Sequence, residues 1–337
     1  MDTDRRENGR GTAGRRFPSG ISRREALELL RVEGPELYDL LARAGRVRHE
    51  RRGDEVALCS IVNARSGHCG EDCAFCAQSS RAKAAIETYP LLGVERMVGA
   101  ARDAAANGAA CFSIVTSGRA LGKRDLGAVA KALSRIGREL PVRPSASLGL
   151  LDAGAIERLR DAGLRRLHHN LETAESFFPS ICTTRRWSDS IEAIRRAKAA
   201  GLETCCGGIF GMGETPAQRV ELLAALREVD PDSVPLNFLN PIPGTRLGRL
   251  APMPALDALK VVAVARLMMP AKEIRVCGGR ERVLGDLQSW IFLAGADGMM
   301  VGGYLTTLGR PVEADLRMIA DLGLRVATPP RDGARDR

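Results

Sequence analysis

The sequence predicts an α/β fold, a closed (βα)8 barrel of the TIM type preceded by a short N-terminal helical extension. Three observations lead there. From about Leu58 onward, short β-rich runs alternate with amphipathic helical runs, which indicates a parallel sheet. Eight such pairs can be counted along the chain. Read as one domain, 337 residues need a large fold, and the α/β barrel is the commonest one that reaches this size undivided. An open doubly wound sheet is the alternative, because sequence does not show whether the sheet closes.

In chain order, residues 21–47 read as two short helices packed outside the first strand. Strands are expected at 58–63 (LCSIVN), 110–116 (ACFSIVT), 142–148 (VRPSASL) and 165–170 (RRLHHN). Four more follow at 203–209 (ETCCGGI), 232–238 (DSVPLNF), 273–277 (EIRVC) and 298–302 (GMMVG). Apolar spacing near 3.6 places helices at 94–107, 126–138, 153–162, 188–200, 215–228, 255–268, 281–295 and 312–322. No linker divides these units, so 21–326 is expected to be one domain. Residues 1–20 are Gly/Arg-rich and apolar-poor and read as a disordered tail, as do residues 327–337.

Composition narrows the function classes. An apolar fraction of 45% and a charged fraction of 27% suit a soluble globular protein, and no apolar run is long enough to span a bilayer. The N-terminus has no apolar segment after its charges, so the expected location is cytoplasmic, with no membrane partner. There, nine cysteines point to metal or redox chemistry rather than disulfides. The net charge of +9 invites a nucleic-acid reading, but residues 1–24 carry seven arginines against three acids, nearly half of the excess. No aromatic side chains interleave with those arginines, so no nucleic-acid partner is expected.

The densest signal is SGHCGEDCAFCAQS at 66–79, where Cys69, Cys73 and Cys76 stand as C-x3-C-x2-C. This loop directly follows a strand, which puts it at the C-terminal face of a barrel, where barrel enzymes carry their chemistry. A closed structural zinc or iron–sulfur site normally takes four protein ligands, so three thiolates leave one coordination position open for a cofactor or substrate. A zinc site completed by His68 is the plainer alternative, though adjacent ligands fit one tetrahedral ion poorly.

With Phe75 before the last cysteine, the motif resembles that of the radical S-adenosylmethionine (SAM) enzymes. The resemblance implies a [4Fe-4S] cluster on Cys69, Cys73 and Cys76, whose fourth iron is chelated by SAM. Reduction of the cluster then cleaves SAM to methionine and a 5′-deoxyadenosyl radical. More widely, NARSGHCGEDCAFCAQSS, HHNLET, CCGGIFGMGE, VPLNFLNPIPGT, RLMMP and IRVCGGRE occur in order between about residues 22 and 325, and together they resemble the biotin synthase family. That implies radical insertion of sulfur into dethiobiotin, with the sulfur drawn from an auxiliary iron–sulfur cluster deep in the barrel. It also implies a homodimer served by a small flavodoxin- or ferredoxin-type electron donor.

Strand alternation bears on the auxiliary site independently, because residues i and i+2 share a face. Arg275 and Cys277 share one; so do Arg143, Ser145 and Ser147, and so do Cys111 and Ser113. Cys205 and Cys206 must point oppositely. In the best-known branch of the family a [2Fe-2S] cluster is held by three cysteines and an arginine, and the matching positions here are Ser113, Ser145, Cys205 and Arg275. Two of those three thiols are missing. A second branch, with the IRVCGGR-type strand, resembles this chain more closely and implies a different cluster that uses Cys277, with a thiol still expected at Ser145. Cys205, Cys277 and Arg275 are therefore the expected auxiliary ligands and Cys111 a substitute, on a [2Fe-2S] or larger cluster. Cys206 reads as a small buried residue, and Cys59 and Cys182 receive no role.

The family resemblance further implies that SAM lies across the barrel top against Gly207, Gly208 and Ile209 of the GGIFGMGE turn. Ser147, Glu172 and Arg185 are further SAM contacts by the same resemblance. For Arg185 a solvated surface position is the plainer alternative. Asn170 and Asn237 match the substrate-binding asparagines, and amide side chains suit the cyclic urea of dethiobiotin. His169 is expected on the opposite strand face, in a structural role. The competing functions are a sulfur-free radical SAM mutase of the methylornithine synthase kind, a non-enzymatic iron–sulfur or zinc protein binding nucleic acid, and a paralogue that has lost activity.

Overall fold

The structure, a computed structural model, describes residues 20–307 and 309–328. The tails expected at 1–20 and 327–337 lie almost wholly outside them. Two N-terminal helices, α1 (Arg23–Leu29) and α2 (Gly34–Arg52), lead into β1 (Glu55–Arg65). Then come α3 (Val94–Ala106), β2 (Cys111–Thr116), α4 (Lys123–Glu139), β3 (Arg143–Ser147), α5 (Ala153–Asp161) and β4 (Arg166–His168). The chain continues through α6 (Phe178–Ile181), α7 (Trp187–Ala199), β5 (Glu203–Cys205), β6 (Gly208–Phe210), α8 (Pro216–Val229), β7 (Ser233–Phe238), α9 (Ala255–Met268) and β8 (Glu273–Val276). Last are α10 (Arg280–Leu284), α11 (Trp290–Leu293), β9 (Gly298–Met300), α12 (Val312–Asp321) and β10 (Arg325–Val326).

The strands pair in parallel in the order β1-β2-β3-β4-β5-β7-β8-β9, and β9 returns to β1 through Ala57–Gly298, Leu58–Met299 and Cys59–Met300. The sheet is closed, which excludes the open doubly wound alternative. β6 continues the fifth strand and pairs with β7, and β10 pairs with the start of β1. Closure depends on a glycine at the seam: a Cβ on Gly298 would lie 2.0 Å from the carbonyl oxygen of Ala57. The apolar core sits between the barrel and its helices, for example Met97, Leu126, Val129, Leu133 and Ile136 on α3 and α4 against Phe112 and Ile114 of β2.

The N-terminal extension has a packing role. On α2, Leu37, Leu40, Leu41, Ala44 and Arg48 form one buried stripe. It covers α9, on which every residue from Ala258 to Met268 is buried. That sheath accounts for the apolar character of α9 on all sides. Arg48 then crosses to the barrel seam, where its guanidinium donates to the carbonyl oxygens of Ala296 (3.2 Å) and Gly53 (2.7 Å). Beside it, Arg266 and Asp297 form a fully buried ion pair. Asp297 Oδ2 also accepts the Ile274 amide at 2.8 Å, so one carboxylate ties β8, β9 and α9 together.

Several boundaries differ from expectation. The helix expected at 281–295 is broken into α10, a 3-10 turn at Gly285–Ser289, and α11, because Gly285 adopts φ +49°. The strand expected at 203–209 is interrupted after Cys205, where Gly207 presses against β7 and a Cβ would meet Pro235 O at 1.8 Å. The second N-terminal helix is 19 residues long rather than short, and α6 was not expected. Among the described residues, no helix is long and apolar enough to cross a membrane.

Replacing Asp297 by Ala should strand Arg266 in the seam and cost about 3–5 kcal/mol, the range for breaking a buried pair by removing one partner. A urea-unfolding midpoint close to that of the unmodified protein would show that the seam is held by other contacts.

Candidate active site

β1 ends at Arg65 and delivers the cysteine loop to the C-terminal mouth of the barrel. The chain turns at Gly67 (φ +78°), where a Cβ would lie 2.5 Å from Thr88 Cγ2. Backbone bonds then fold the loop on itself: the Cys69 amide donates to Gln78 O (3.0 Å), the Ser80 amide to Cys69 O (2.8 Å), and the Cys76 amide to Cys73 O (3.0 Å). A second segment clamps it from outside. The Ala74 amide donates to Ile181 O at 2.9 Å, and Asp72 Oδ1 accepts the amides of Thr183 (2.8 Å) and Thr184 (3.3 Å). Against the upward push of burial, the hydrogen bonds from Thr183 hold the Asp72 carboxyl well below the usual carboxylate range.

Cys69, Cys73 and Cys76 all line one cavity of about 260 Å³ that runs into the barrel. His68 is exposed and does not line it, so the zinc alternative with His68 as fourth ligand gains no support. Burial raises the Cys76 thiol to about 11, and a hydrogen bond with Cys182 together with burial raises Cys73.

Below the loop, Glu172 (φ +67°) and Arg185 face each other across the cavity with 3.8 Å between Oε1 and Nη2. The Arg185 side chain is 7% exposed and lies over the Phe178 ring, which corrects the solvated-surface alternative. Burial raises the Glu172 carboxyl while Arg185 lowers it. Asn170 and Asn237 both line the cavity and both brace the barrel top. Asn170 Oδ1 accepts the Gly207 amide (3.1 Å); Asn237 Nδ2 donates to Gly208 O (3.2 Å), and its Oδ1 accepts the Gly278 amide (2.9 Å). Each amide keeps one donor hydrogen and an acceptor lone pair for a ligand. Ser147 and Ile209 line the cavity as expected, whereas Gly207 and Gly208 do not. A Cβ on Gly208 would meet Leu222 Cδ2 at 2.7 Å and Glu172 O at 2.8 Å, so these glycines serve strand packing.

Deeper in the barrel, Cys59, Cys111, Cys205 and Cys277 line the same cavity with Ser113, Ser145, Arg166 and Arg275. Cys206, the residue after the end of β5, lies instead in the apolar core, away from Cys205. Cys59 Sγ donates to Met299 O at 3.7 Å; the neighbouring Cys277 thiol and Arg275 draw the Cys59 thiol down, while Cys59 and burial push Cys277 up. Burial raises Cys205 to about 12, opposed by Arg166 and Arg275. Ser113 Oγ is buried without a hydrogen-bond partner. Arg143, in register with Cys111 on β2, keeps the face it was expected to share with Ser145 and Ser147, but at the start of β3 it pairs with Glu203 at 3.4 Å and does not line the cavity.

Two expectations need correction. His169 lines the cavity, because regular strand ends at His168 and alternation ceases to govern the next residue. Cys59, given no role from sequence, belongs to the deep thiol set. Its register partner Cys111 on β2 is the signal that would have found it, and that requires the strand pairing. Arg166, His168 and Tyr304 are lining residues that also went unremarked.

Among the described residues, no three His, Cys, Asp or Glu side chains converge closely enough to hold a single metal ion. An iron–sulfur cluster distributes its thiolates over several irons. Three thiols at the mouth and four deeper, with the partnerless Ser113 hydroxyl and two guanidiniums between them, fit two such clusters in donor type and charge.

Residues 65–226 match the Radical SAM superfamily, and residues 235–325 the Biotin and Thiamin Synthesis associated domain. A biotin synthase of Citrifermentans bemidjiense is 53% identical over 305 residues, covering 90% of this chain and 93% of the relative. One from Geobacter sulfurreducens is 53% identical and covers 91% and 94%. One from Nitratidesulfovibrio vulgaris is 49% identical and covers 95% and 90%. Among solved structures, methylornithine synthase aligns with a TM-score of 0.80 at 21% identity, over 91% of this chain and 94% of its own. The FeFe-hydrogenase maturase HydG of Carboxydothermus hydrogenoformans aligns at 0.79 and 17% identity, over 92% and 76%. At such identities the structural likeness is one of fold.

Replacing Asp72 by Ala should leave the amides of Thr183, exposed, and Thr184, half-buried, without their acceptor, at about 0.5–1.5 kcal/mol for each lost bond. The expected result is reduced iron per chain after anaerobic reconstitution, with circular dichroism unchanged. Full iron loading would show that the clamp is dispensable for holding the loop.

Proposed function

The chain belongs to the biotin synthase family of radical SAM enzymes, and from that premise we propose how its own residues divide the work of inserting sulfur into dethiobiotin. The observation that carries the assignment is one cavity lined at its mouth by Cys69, Cys73 and Cys76 and in its depth by Cys59, Cys111, Cys205 and Cys277. The cofactors of such an enzyme are a [4Fe-4S] cluster, SAM and an auxiliary iron–sulfur cluster. When bound, they supply a carbon radical able to take hydrogen from an unactivated C–H bond, and the sulfur that replaces it.

Cys69, Cys73 and Cys76 hold the first cluster, on a loop fixed by Asp72 and Gln78. Arg185 orients a carboxylate of SAM through its planar fork, and Glu172 accepts a hydrogen bond from a hydroxyl or N–H donor beside it. Ser147 and Ile209 flank that ligand. Asn170 and Asn237 offer their remaining donor and acceptor sites to the cyclic urea, and their bonds to Gly207, Gly208 and Gly278 fix the amide orientation in advance. The deep thiols, with Arg275, hold the auxiliary cluster. Cys59, Cys111, Cys205 and Cys277 thereby replace the ligand set in which Ser113 and Ser145 would be cysteines. The barrel walls exclude water from the space between the two clusters.

By the same reading the protein is a homodimer, works in the cytoplasm and takes electrons from a small flavodoxin- or ferredoxin-type donor. Family membership supports this reading, and so do the exposed apolar Tyr38 and Leu293, which suit a protein surface.

Incubating the anaerobically reconstituted protein with SAM, a reductant and dethiobiotin should yield biotin and 5′-deoxyadenosine, read by mass spectrometry. Deoxyadenosine without any sulfur-containing product would move the assignment to sulfur-free radical chemistry. In the same assay, Cys73→Ala should abolish deoxyadenosine. Cys59→Ser and Cys277→Ser should lower biotin at least tenfold and spare SAM cleavage; unchanged biotin from either would remove that thiol from the auxiliary site.

A further inference from the structure

Deep in the cavity, the thiols are accompanied by two buried guanidiniums rather than one. Arg275 belongs to the expected ligand set. Arg166, at the start of β4, was not singled out by its sequence context, yet it lines the same cavity and its strand neighbour in register is Ser145, where a thiol was expected. Both arginines are anchored on one carboxylate. Glu273 Oε1 accepts from Arg275 Nε, and Glu273 Oε2 accepts from Arg166 Nη2 at 3.4 Å. The three side chains are 5%, 6% and 4% exposed for Arg275, Glu273 and Arg166.

Arg166 Nε goes to Glu203 Oε2 at 3.0 Å. Its Nη1 is left without a carboxylate partner, on a side chain facing the cavity. The two carboxylates meet its charge, so what Nη1 calls for in the cavity is a hydrogen-bond acceptor. The protein elements packed around this space offer the thiols Cys59, Cys111, Cys205 and Cys277, together with His168 and Ser145. Neither His168 nor Ser145 supplies a negative charge. Cys111 and Cys205 both lie within the electrostatic reach of Arg166.

We propose that Arg166 is a positioning residue of the auxiliary-cluster site, presenting its free amino group to the cluster beside Arg275 while Glu273 fixes both guanidiniums in place. The inference rests on reading the deep cavity as that site. Arg166 takes up, by charge and hydrogen bonding, the wall position that Ser145 leaves without a thiol. Four thiolates make the cluster more anionic than three would, and a second guanidinium offsets the added charge. Hydrogen bonds and positive charge near cluster sulfur raise the reduction potential, so Arg166 sets how readily the auxiliary cluster is reduced.

The test is a redox titration of the full-length protein carrying both clusters, followed by electron paramagnetic resonance. Arg166→Met should lower the midpoint potential of the auxiliary cluster and leave that of the cluster on Cys69, Cys73 and Cys76 unmoved. Arg166→Lys should recover most of the shift. Because Arg166→Met takes one of its two arginine partners from Glu203, which keeps Arg143, the double variant R166M/E203Q is measured beside it and should show the same shift. An auxiliary potential unchanged in a folded, fully iron-loaded variant would overturn the proposal and leave Arg166 a structural partner of Glu203 and Glu273. If the unmodified protein binds a cluster only at the mouth cysteines, the auxiliary-site reading itself fails, and iron counting reports that separately from the potential.

Discussion

Everything in this site depends on β9 closing onto β1. A strand turns alternate side chains to opposite faces, and only a closed sheet makes one of those faces a common interior. Cys59 on β1, Cys111 on β2, Cys205 on β5 and Arg275 on β8 come from positions up to 216 residues apart in sequence, yet face a single space. The seam is narrow because Gly298 allows the Ala57 carbonyl to approach, and it is braced from outside by Arg48 and by the buried Arg266–Asp297 pair. The N-terminal extension thus acts on the site indirectly: α2 shields α9, and α9 carries Arg266.

Inside the barrel, charge is arranged in two tiers. Near the mouth the carboxylates Glu172 and Glu71 face the guanidiniums Arg185 and Arg119, at 3.8 and 3.0 Å, beside the three loop thiols. Below it, Glu273 stands between Arg166 and Arg275, with Arg52 a further 3.6 Å contact from outside. Burial alone would push the Glu273 carboxyl up, but the surrounding cations hold it well below its ordinary range. A buried carboxylate of this kind contributes little net stability, because desolvation offsets much of the Coulombic gain. Its value is geometric, since it fixes two planar donors that would otherwise swing.

The loop that carries the three mouth cysteines has no strand or helix of its own to stiffen it. Its order comes from the 181–184 segment, whose backbone and threonines grip Asp72 and Ala74, and from Arg246, which donates to both Asp72 O (3.1 Å) and Ile181 O (2.7 Å). Such cross-ties place three thiols at the end of a strand without burying an unsatisfied backbone. The asparagines follow the same logic: Asn237 spends a donor and an acceptor on glycine backbone, Asn170 its acceptor on Gly207 and a donor on Glu172, and each keeps half of its amide for a ligand.

The eight-unit alternation, the C-x3-C-x2-C loop, Arg275 with Cys277, and the opposed Cys205 and Cys206 could all be read from the chain, because each is a local pattern with period two or a short fixed spacing. Asn170, Glu172, Arg185 and Asn237 were named through family resemblance, and the structure gathers them around one cavity. What the chain alone left undecided was whether the sheet closes and which side chains from different strands become neighbours. Cys59 and Arg166 look unremarkable in their own strands, and His169 was put on the wrong face because the end of β4 is set by its neighbours. Register between distant strands is a tertiary quantity, fixed by packing and hydrogen bonding across the sheet, and it alone made four scattered thiols and two arginines into one site.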